Sequence, residues 1–319
     1  MEHRVFYQIV GTRQLQFLSF TRKNSYNSPM KKEQIIAVYL CVLFVLCAGI
    51  TLSVVKRPVQ NRSVVKLHLN QQTKMENFIA PTPTSVLRIH PPIRVPILLY
   101  HYVEVVTDPN DSTRRSLDIL PKIFEAQLTT LLDNGYSPIF MSDLGKALAG
   151  EIKLPEKPIV LTFDDGYRDF YTDVYPLLEK YNVKATNYVI SSFVGLNKNY
   201  MTKDEVYEVA HSGIVELAAH TVHHKNLKGL SPSFQRTEIE QSKRDLEQMT
   251  GKDVTDFAYP YGLFDTSAIL EVAAAGFRTA VTTQPGILHT VNERYTVTRL
   301  RPANRVGPSL ISWLAGISQ

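Results

Sequence analysis

The sequence of 319 residues predicts an α/β fold in which a mostly parallel β-sheet is covered by helices. From residue 95 onward, short apolar runs alternate with amphipathic stretches of helical spacing. Runs such as 158–163 are apolar and β-branched at successive positions, as in strands buried on both faces of a parallel sheet. The predicted strands, enough to close a barrel, are 95–100, 137–140, 158–163, 185–190, 214–219, 256–259, 278–282 and 295–298.

Helices between these strands have ends that can be recognised in the sequence, because caps and terminating glycines mark them. The residues that mark them are Asn134-Gly135 after the helix 122–132, Thr202 with Glu205 as a capping box, Ser231-Pro232 and Thr250 at the ends of a long helix, and Asp265 and Gly276 around the last.

The N-terminal quarter predicts a membrane anchor. Residues 34–55 are 22 consecutive uncharged positions, with Lys31-Lys32 before them and Lys56-Arg57 after them. About 20 apolar residues span a bilayer as a helix, so this segment is a transmembrane helix or a signal sequence. No small-x-small cleavage site follows it, which favours an uncleaved single-pass anchor. The flanking basic residues are similar in number on both sides and do not fix the orientation.

The remaining sequence divides around this segment. Residues 1–33 form a tail, and we interpret 1–29 as an upstream extension before Met30. Residues 56–92 are polar and lack periodicity, which predicts a linker. The globular domain is expected over 93–319. Both cysteines, Cys41 and Cys47, lie in the apolar segment, so the domain has neither a disulfide nor a thiolate ligand.

The basic charge of the chain is concentrated outside the predicted domain. Residues 1–92 carry 12 Lys and Arg against 3 Glu, a net charge of +9, whereas the remainder carries 23 against 27 acidic residues, a net charge of −4. Nothing in the domain resembles a basic groove, and nucleic acid is therefore not expected as a partner.

Two adjacent carboxylates, Asp164 and Asp165, follow the predicted strand 158–163 and precede Gly166. The carboxyl ends of parallel strands are where α/β proteins bind ligands. Adjacent carboxylates at such an end repel each other unless a cation or a shared proton relieves them. The alternative is that one Asp merely caps the next helix.

A histidine cluster, His220-Thr221-Val222-His223-His224, follows the predicted strand 214–219. Imidazole is the commonest protein ligand of zinc. The spacing of four between His220 and His224 predicts that both rings lie on one side of a helical turn. Two imidazoles and one carboxylate would form a catalytic zinc site with one open position.

Together and in this order, the two clusters resemble the first two motifs of the polysaccharide deacetylases, carbohydrate esterase family 4 with its NodB-like domain. The resemblance runs from about residue 95 to residue 305, and Phe-Ala-Tyr-Pro-Tyr-Gly at 257–262 is similar to the third motif. It implies a distorted (β/α) barrel of about seven strands and hydrolysis of N-acetyl groups on an amino-sugar polymer. It also implies a divalent metal, with zinc as first choice, and an extracytoplasmic catalytic domain.

The resemblance implies a role for each matching residue. Asp165, His220 and His224 match the metal ligands, and Asp164 matches the general base. Tyr261 matches the tyrosine whose backbone N–H helps to hold the oxyanion. His223 faces differently from its neighbours and is expected to be structural.

Two positions depart from the family pattern. Ala258 stands where an arginine often orients the catalytic Asp, and Arg299 or Arg301 is the candidate replacement unless both are surface charges. The closing Leu-x-His is missing after Tyr261, but Leu99-Tyr100-His101 ends the first predicted strand. Because parallel strands deliver their ends to one mouth, we expect His101 as general acid, with an ordinary strand-end histidine as the alternative.

The opening 95–101 also looks like the branch that acts on poly-β-1,6-N-acetylglucosamine, whose motif order is permuted. We therefore expect metal-dependent deacetylation of that polymer or a related one, with peptidoglycan or chitin oligomers as second choice. A catalytically silent carbohydrate-binding domain is the alternative from another class. A phosphate or other ester hydrolase would need a second metal's carboxylates or a phosphate-binding loop, and neither is found. Tyr167 and Tyr261 are candidate platforms for sugar rings.

Overall fold

A computed structural model describes residues 91–317 of the chain. The predicted tail, the 34–55 anchor and nearly all of the linker lie outside the described residues, so those expectations stay predictions. Within residues 91–317, no helix is both long enough and apolar enough to cross a membrane.

The centre of the fold is a parallel sheet of seven strands, which confirms the predicted α/β class. The strands are β1 (Ile93–Arg94), β2 (Ile97–Tyr100), β3 (Tyr102–Val103), β4 (Asp118–Ile119), β5 (Ser137–Ile139), β6 (Pro158–Phe163), β7 (Ala185–Val189), β8 (Val215–Ala219), β9 (Asp256–Ala258), β10 (Thr279–Val281) and β11 (Leu288–His289). The sheet order is β10-β9-β8-β7-β6-β2, and β5 pairs with the first half of β6. Two small sheets, β1 with β11 and β3 with β4, complete the pairing in the described part of the chain.

Residues 297–300 join the two edge strands of this sheet. Val297 bridges to Val281 on β10, and Leu300 bridges to Leu98 on β2. The Val297 N–H donates to the Ala280 carbonyl at 2.9 Å, and the Leu300 N–H donates to the Ile97 carbonyl at 2.8 Å. The predicted strand 295–298 is therefore wrong as a regular strand, because its segment pairs by single bridges while it passes from one edge to the other. The parallel sheet curls around this segment.

Eight helices surround the sheet in the described part of the chain. They are α1 (Ser112–Leu117), α2 (Pro121–Asp133), α3 (Met141–Leu148), α4 (Tyr175–Tyr181), α5 (Lys203–His211), α6 (Pro232–Thr250), α7 (Thr266–Ala274) and α8 (Gly307–Gly316). The predicted capping box is confirmed, since the Glu205 N–H donates to Thr202 and the Thr202 N–H donates to Glu205. Ser231 and Asp265 cap α6 and α7 as predicted.

Alternation of side chains along the strands separates two apolar layers. One layer packs between the sheet and the helices and includes Leu161 and Phe163 of β6. The other includes Val160 of β6 and Tyr188 of β7, and it is closed by Met141 and Leu144 of α3. With the interior filled in this way, the polar residues that follow the strands gather at the opposite mouth, where β2 and β6 end side by side.

Candidate active site

Asp164 and Asp165 lie at the carboxyl end of β6, and the backbone turns sharply there. Asp165 has φ 76° and Gly166 has φ 71°, both in the left-handed region. A Cβ at Gly166 would stand 2.9 Å from Cγ1 of Val189, so only glycine fits this turn without a shift of its neighbour. The turn leaves both carboxylates buried, with Asp164 3 % and Asp165 5 % exposed.

His220 and His224 converge on the Asp165 carboxylate. His220 Nε2 lies 3.4 Å and His224 Nε2 3.3 Å from Oδ1 of Asp165. The Nδ1 of His220 lies 2.7 Å from the Ala258 carbonyl, and as its donor it would leave Nε2 unprotonated towards Asp165. Burial, with His220 adding to it, lowers the pKa of His224 to about 4, which keeps that ring neutral.

The predicted helical turn between these histidines is wrong. Residues 221–224 form a tight non-helical turn in which Thr221 has φ 62° and His224 has φ 53°. Left-handed backbone at both ends of the turn, rather than helical spacing, brings the two rings together at 4.8 Å between centroids.

The three side chains fit a divalent metal ion. One ligand atom from each of Asp165, His220 and His224 lies within 4.8 Å of the others. The buried Oδ1 of Asp165 has no hydrogen-bond partner among the described residues, although such atoms are normally satisfied. Tetrahedral ligands at about 2.0–2.1 Å from a zinc ion stand about 3.4 Å apart, close to the two Asp165–histidine distances. A carboxylate oxygen and two imidazole nitrogens are also a donor set that zinc accepts.

Arg299 fills the place of the missing motif arginine. Its Nη1 and Nη2 each donate to one oxygen of Asp164 at 2.7 Å, and its Nε donates to the Thr282 carbonyl at 2.8 Å. Burial would raise the pKa of the Asp164 carboxyl, but the Arg299 guanidinium outweighs this and holds the pKa well below its usual range. Of the two arginines left open by the sequence, Arg299 is 1 % exposed and bound, whereas Arg301 is exposed.

His101 lies at the same mouth, half-buried, directly after β2. Tyr100 pairs with Phe163 in register, and the Asp164 N–H donates to the Tyr100 carbonyl at 3.1 Å, so His101 and Asp164 leave adjacent strands at one level. Burial lowers the pKa of His101, and the carboxylates of Asp164 and Asp165 oppose this only in part.

Tyr261 stands at the rim of the site. It is 60 % exposed, has φ 60°, and its ring centroid lies 4.6 Å from that of His224. Its amide belongs to the first residues of the short 3₁₀ turn Pro260–Gly262, where N–H groups have no partner inside the turn.

Tyr167, the other candidate platform for a sugar, is covered on both faces of its ring. It stacks on Tyr102 at 4.0 Å and on Tyr200 at 5.2 Å between centroids. Tyr261 is therefore the better exposed of the two.

Glu238 on α6 was not foreseen from the sequence. Its carboxylate lies under the histidine turn, where it contacts Val222 and His223. A glutamate inside an amphipathic helix carries no sequence signal for such a contact, because only the packing of α6 against the mouth buries it.

The chain is similar to known proteins in both sequence and structure. A family model described as "Polysaccharide deacetylase" matches residues 151–280. A Bacillus subtilis protein assigned to the polysaccharide deacetylases is 34% identical over 215 residues, which cover 67% of this chain and 74% of that protein. A poly-β-1,6-N-acetyl-D-glucosamine N-deacetylase of Escherichia coli is 35% identical over 122 residues, 34% of this chain but only 18% of that protein.

Among solved structures, the Streptococcus pyogenes deacetylase PplD in complex with acetate aligns with a TM-score of 0.64 at 29% identity. The alignment covers 70% of this chain and 98% of that one. The family model includes the two carboxylates and the two converging histidines, whereas His101 and Arg299 lie outside its range. The similarity to the Bacillus relative extends over most of both sequences, and the chain therefore belongs to the polysaccharide deacetylase family, hydrolases that act on N-acetyl amide bonds.

Proposed function

We propose that the chain removes N-acetyl groups from an N-acetylglucosamine polysaccharide by metal-dependent hydrolysis, with poly-β-1,6-N-acetylglucosamine as the first candidate substrate. One observation carries the proposal: Asp165, His220 and His224 converge beside an Asp164 that Arg299 keeps ionised. Amide hydrolysis needs a proton acceptor next to an electrophilic centre, and this arrangement supplies both.

The choice of polymer rests on two supports. The Escherichia coli relative carries the name of a poly-β-1,6-N-acetyl-D-glucosamine N-deacetylase, although the matched region is a small part of that protein. In addition, His101 precedes the Asp164-Asp165 pair in the chain, which is the motif order expected of that branch. Peptidoglycan and chitin-like oligomers are the second choice.

Asp165, His220 and His224 would hold the ion, with zinc as first choice. When bound, such an ion would polarise the acetyl carbonyl and lower the pKa of water to about 7.

Asp164 accepts the proton of the attacking water. Because Arg299 keeps the pKa of this carboxyl well below its usual range, the acceptor is present throughout the neutral pH range. The bidentate contact also fixes the orientation of the carboxylate, and each of its oxygens retains a second lone pair for the incoming proton.

The remaining steps fall to His101 and Tyr261. As the water oxygen bonds to the acetyl carbon, the Tyr261 N–H donates to the oxyanion that forms. His101 in its protonated form then gives a proton to the nitrogen as the C–N bond breaks, so that free amine and acetate leave. Both groups lie at the mouth where the strands end.

A catalytically silent binding domain is disfavoured by Arg299. Ala258 in place of the motif arginine would favour that alternative if Asp164 lacked an orienting partner, but the Arg299 guanidinium binds both oxygens of Asp164. Asp164 is buried, ionised and oriented, but it is not one of the candidate metal ligands. Such a carboxylate has no evident use in a domain that only binds sugar.

We further propose that the segment 34–55 anchors the chain in the cell membrane with residues 93–319 on the outer side, where such polymers lie. Protease added to intact cells should then remove the domain, and its resistance until lysis would contradict this orientation.

Acetate release from a panel of acetylated glucosamine polymers tests the function. Wild-type chain should release acetate from poly-β-1,6-N-acetylglucosamine, lose this activity with chelator and regain it with Zn²⁺. Activity that survives both chelator and Asp164→Asn would overturn the mechanism. Preference for chitin or peptidoglycan oligomers would overturn only the choice of polymer.

A further inference from the structure

Glu238 lies in the middle of α6, is 2 % exposed, and reaches the turn that carries both candidate ligand histidines. Its Oε2 accepts hydrogen bonds from the amides of Val222 at 3.1 Å and of His223 at 2.9 Å. Its Oε1 lies 2.8 Å from Nδ1 of His223. One buried carboxylate therefore makes three contacts with two successive residues of the turn.

The turn needs such a restraint because its backbone is strained. Thr221 and His224 both have positive φ, and neither is a glycine. Residues in this region persist only where the surroundings over-determine their conformation. Glu238 binds Val222 and His223, and these two residues lie between the two strained positions. The carboxylate therefore restrains the part of the turn that joins them.

The opposite side of the turn is held by the chain that follows β7. The amides of Ser191 and Ser192 donate to the carbonyls of Thr221 and Val222, each at 3.2 Å. These bonds fix the carbonyls of the turn but leave the amides of residues 222 and 223 to Glu238. The two sets of contacts are complementary, and neither replaces the other.

The helix that carries Glu238 is a rigid support for the mouth. Along its 19 residues, Gln235 donates to the Leu227 carbonyl at 2.8 Å, and Asp245 accepts from the Ser191 hydroxyl at 2.8 Å. Contacts on either side of Glu238 thus tie α6 to neighbouring loops. A side chain held between two such contacts defines a position accurately.

We propose that Glu238 is a positioning residue of the metal site, an inference that rests on the proposed metal-dependent function. It holds residues 221–224 in the shape that brings His220 and His224 to Asp165. Glu238 is not one of the three candidate ligands, and it acts through its contacts with the turn.

Zinc affinity of the full, metal-free chain, measured by isothermal titration calorimetry, tests this. Glu238→Leu keeps the volume but removes all three contacts, and its dissociation constant for Zn²⁺ should rise about 10–100-fold, as for other residues that orient metal ligands. Glu238→Gln retains an acceptor oxygen for the amides but loses the charge, so its affinity for Zn²⁺ should be several-fold weaker than wild type, a smaller loss than in Glu238→Leu. His223→Ala removes only the ring contact and should weaken binding less than Glu238→Leu.

A matched control is Glu271→Leu. Glu271 is also a buried glutamate against α6, but it binds Arg236 at 2.9 and 3.0 Å instead of the turn. The Glu271→Leu variant should lower the melting temperature of the metal-free chain about as much as Glu238→Leu does. It should leave the zinc affinity unchanged.

Wild-type zinc affinity in Glu238→Leu, or a loss no larger than in Glu271→Leu, would overturn the inference alone. Failure of the wild-type chain to bind Zn²⁺ would instead overturn the proposed metal site and this inference with it. If Glu238→Leu does not fold, Glu238→Gln decides: several-fold weaker binding supports the role, and unchanged binding overturns it.

Discussion

Two pairs of acidic residues lie at opposite ends of the curled sheet, and their pKa values shift in opposite directions. Asp164 and Asp165, at the carboxyl ends of the strands, form the upper pair, and Glu216 and Asp256, near the amino ends, form the lower pair. At the carboxyl ends of the strands, the Arg299 guanidinium outweighs the effect of burial and lowers the pKa of Asp164, and the pKa of Asp165, which faces His220 and His224, is also lowered. Near the amino ends, burial raises the pKa of Asp256 and raises that of Glu216 to about 8. Burial therefore favours the protonated form of the carboxyl groups near the amino ends, whereas the carboxyl groups at the carboxyl ends favour the charged form.

The partners of the two pairs explain the difference. Glu216 accepts hydrogen bonds from the Ser142 amide at 3.2 Å and the Thr186 hydroxyl at 3.1 Å, and Asp256 accepts from the hydroxyl of Thr279. Hydroxyl and amide donors satisfy a carboxyl group but do not offset the desolvation of its charge. The buried Arg299 guanidinium does, so the reactive end of the fold is defined by the position of this cation rather than by the position of the acids.

Replacing each acid of the upper pair in turn should give the largest effect and separates the two roles. Asp164→Asn removes the proton acceptor, so acetate release should fall about 10²–10⁴-fold, whereas zinc binding by calorimetry is retained. Asp165→Asn should lose zinc binding. Activity is compared well below the melting temperature of each variant, since Asp164→Asn also weakens a buried ion pair. Equal zinc affinity in both variants would break the distinction between the two carboxylates.

Replacing Arg299 tests whether this cation keeps the buried Asp164 carboxylate charged. Arg299→Ala leaves Asp164 buried without its partner, which typically destabilises a protein by about 3–5 kcal/mol. Urea unfolding followed by circular dichroism measures this loss. Arg301→Ala is the control, because Arg301 is exposed and should change the unfolding free energy by less than about 0.5 kcal/mol. Equal effects of the two substitutions would show that Asp164 does not depend on Arg299.

Local signals in the sequence predicted the strand before Asp164 and Asp165, and the starts of three helices, well. The run 158–163 became β6 with the same ends, and the capping residues Thr202, Ser231 and Asp265 begin the helices expected of them. Each of these features depends on neighbours in sequence, because the signals for a buried strand or a helix cap lie within a few consecutive residues. The meeting of Asp165 with the two histidines followed from the common mouth of parallel strands.

What escaped prediction depends on contacts between distant parts of the chain. Arg299 meets Asp164 across 135 positions, and nothing local distinguished it from Arg301. The role of 297–300 between the sheet edges, the shape of the histidine turn and the burial of Glu238 arise only once the sheet has curled. Helix α3, which closes the interior near the amino ends of the strands, was also missed, as were α1, α4 and α8.

Tyr261 tests whether the solvent-exposed rim of the site contributes to substrate binding. Its exposed ring beside His224 is placed to pack against a sugar, so Tyr261→Ala should raise KM about 3–10-fold, equivalent to roughly 1 kcal/mol of stacking, and change kcat less. Tyr261→Phe keeps the ring and the backbone amide and should behave as wild type. A fall in kcat with unchanged KM would assign the side chain to the chemistry instead of to binding.

Glu216 should have the smallest effect on activity and tests the amino ends of the strands. Folding raises the pKa of its carboxyl from 4.5 to about 8, through burial and the neighbouring Asp256. Between these pH values the folded chain retains a proton that the unfolded chain has released, so this group's contribution to stability is lost as pH rises towards 8. Glu216→Gln keeps the acceptor oxygen and never ionises. Its unfolding free energy should therefore exceed that of wild type by an amount that grows between pH 5 and pH 8 to at most about 4 kcal/mol, while acetate release stays unchanged. Urea unfolding of both proteins across this range measures the difference, and parallel curves would mean that the lower acids are as charged as the upper ones.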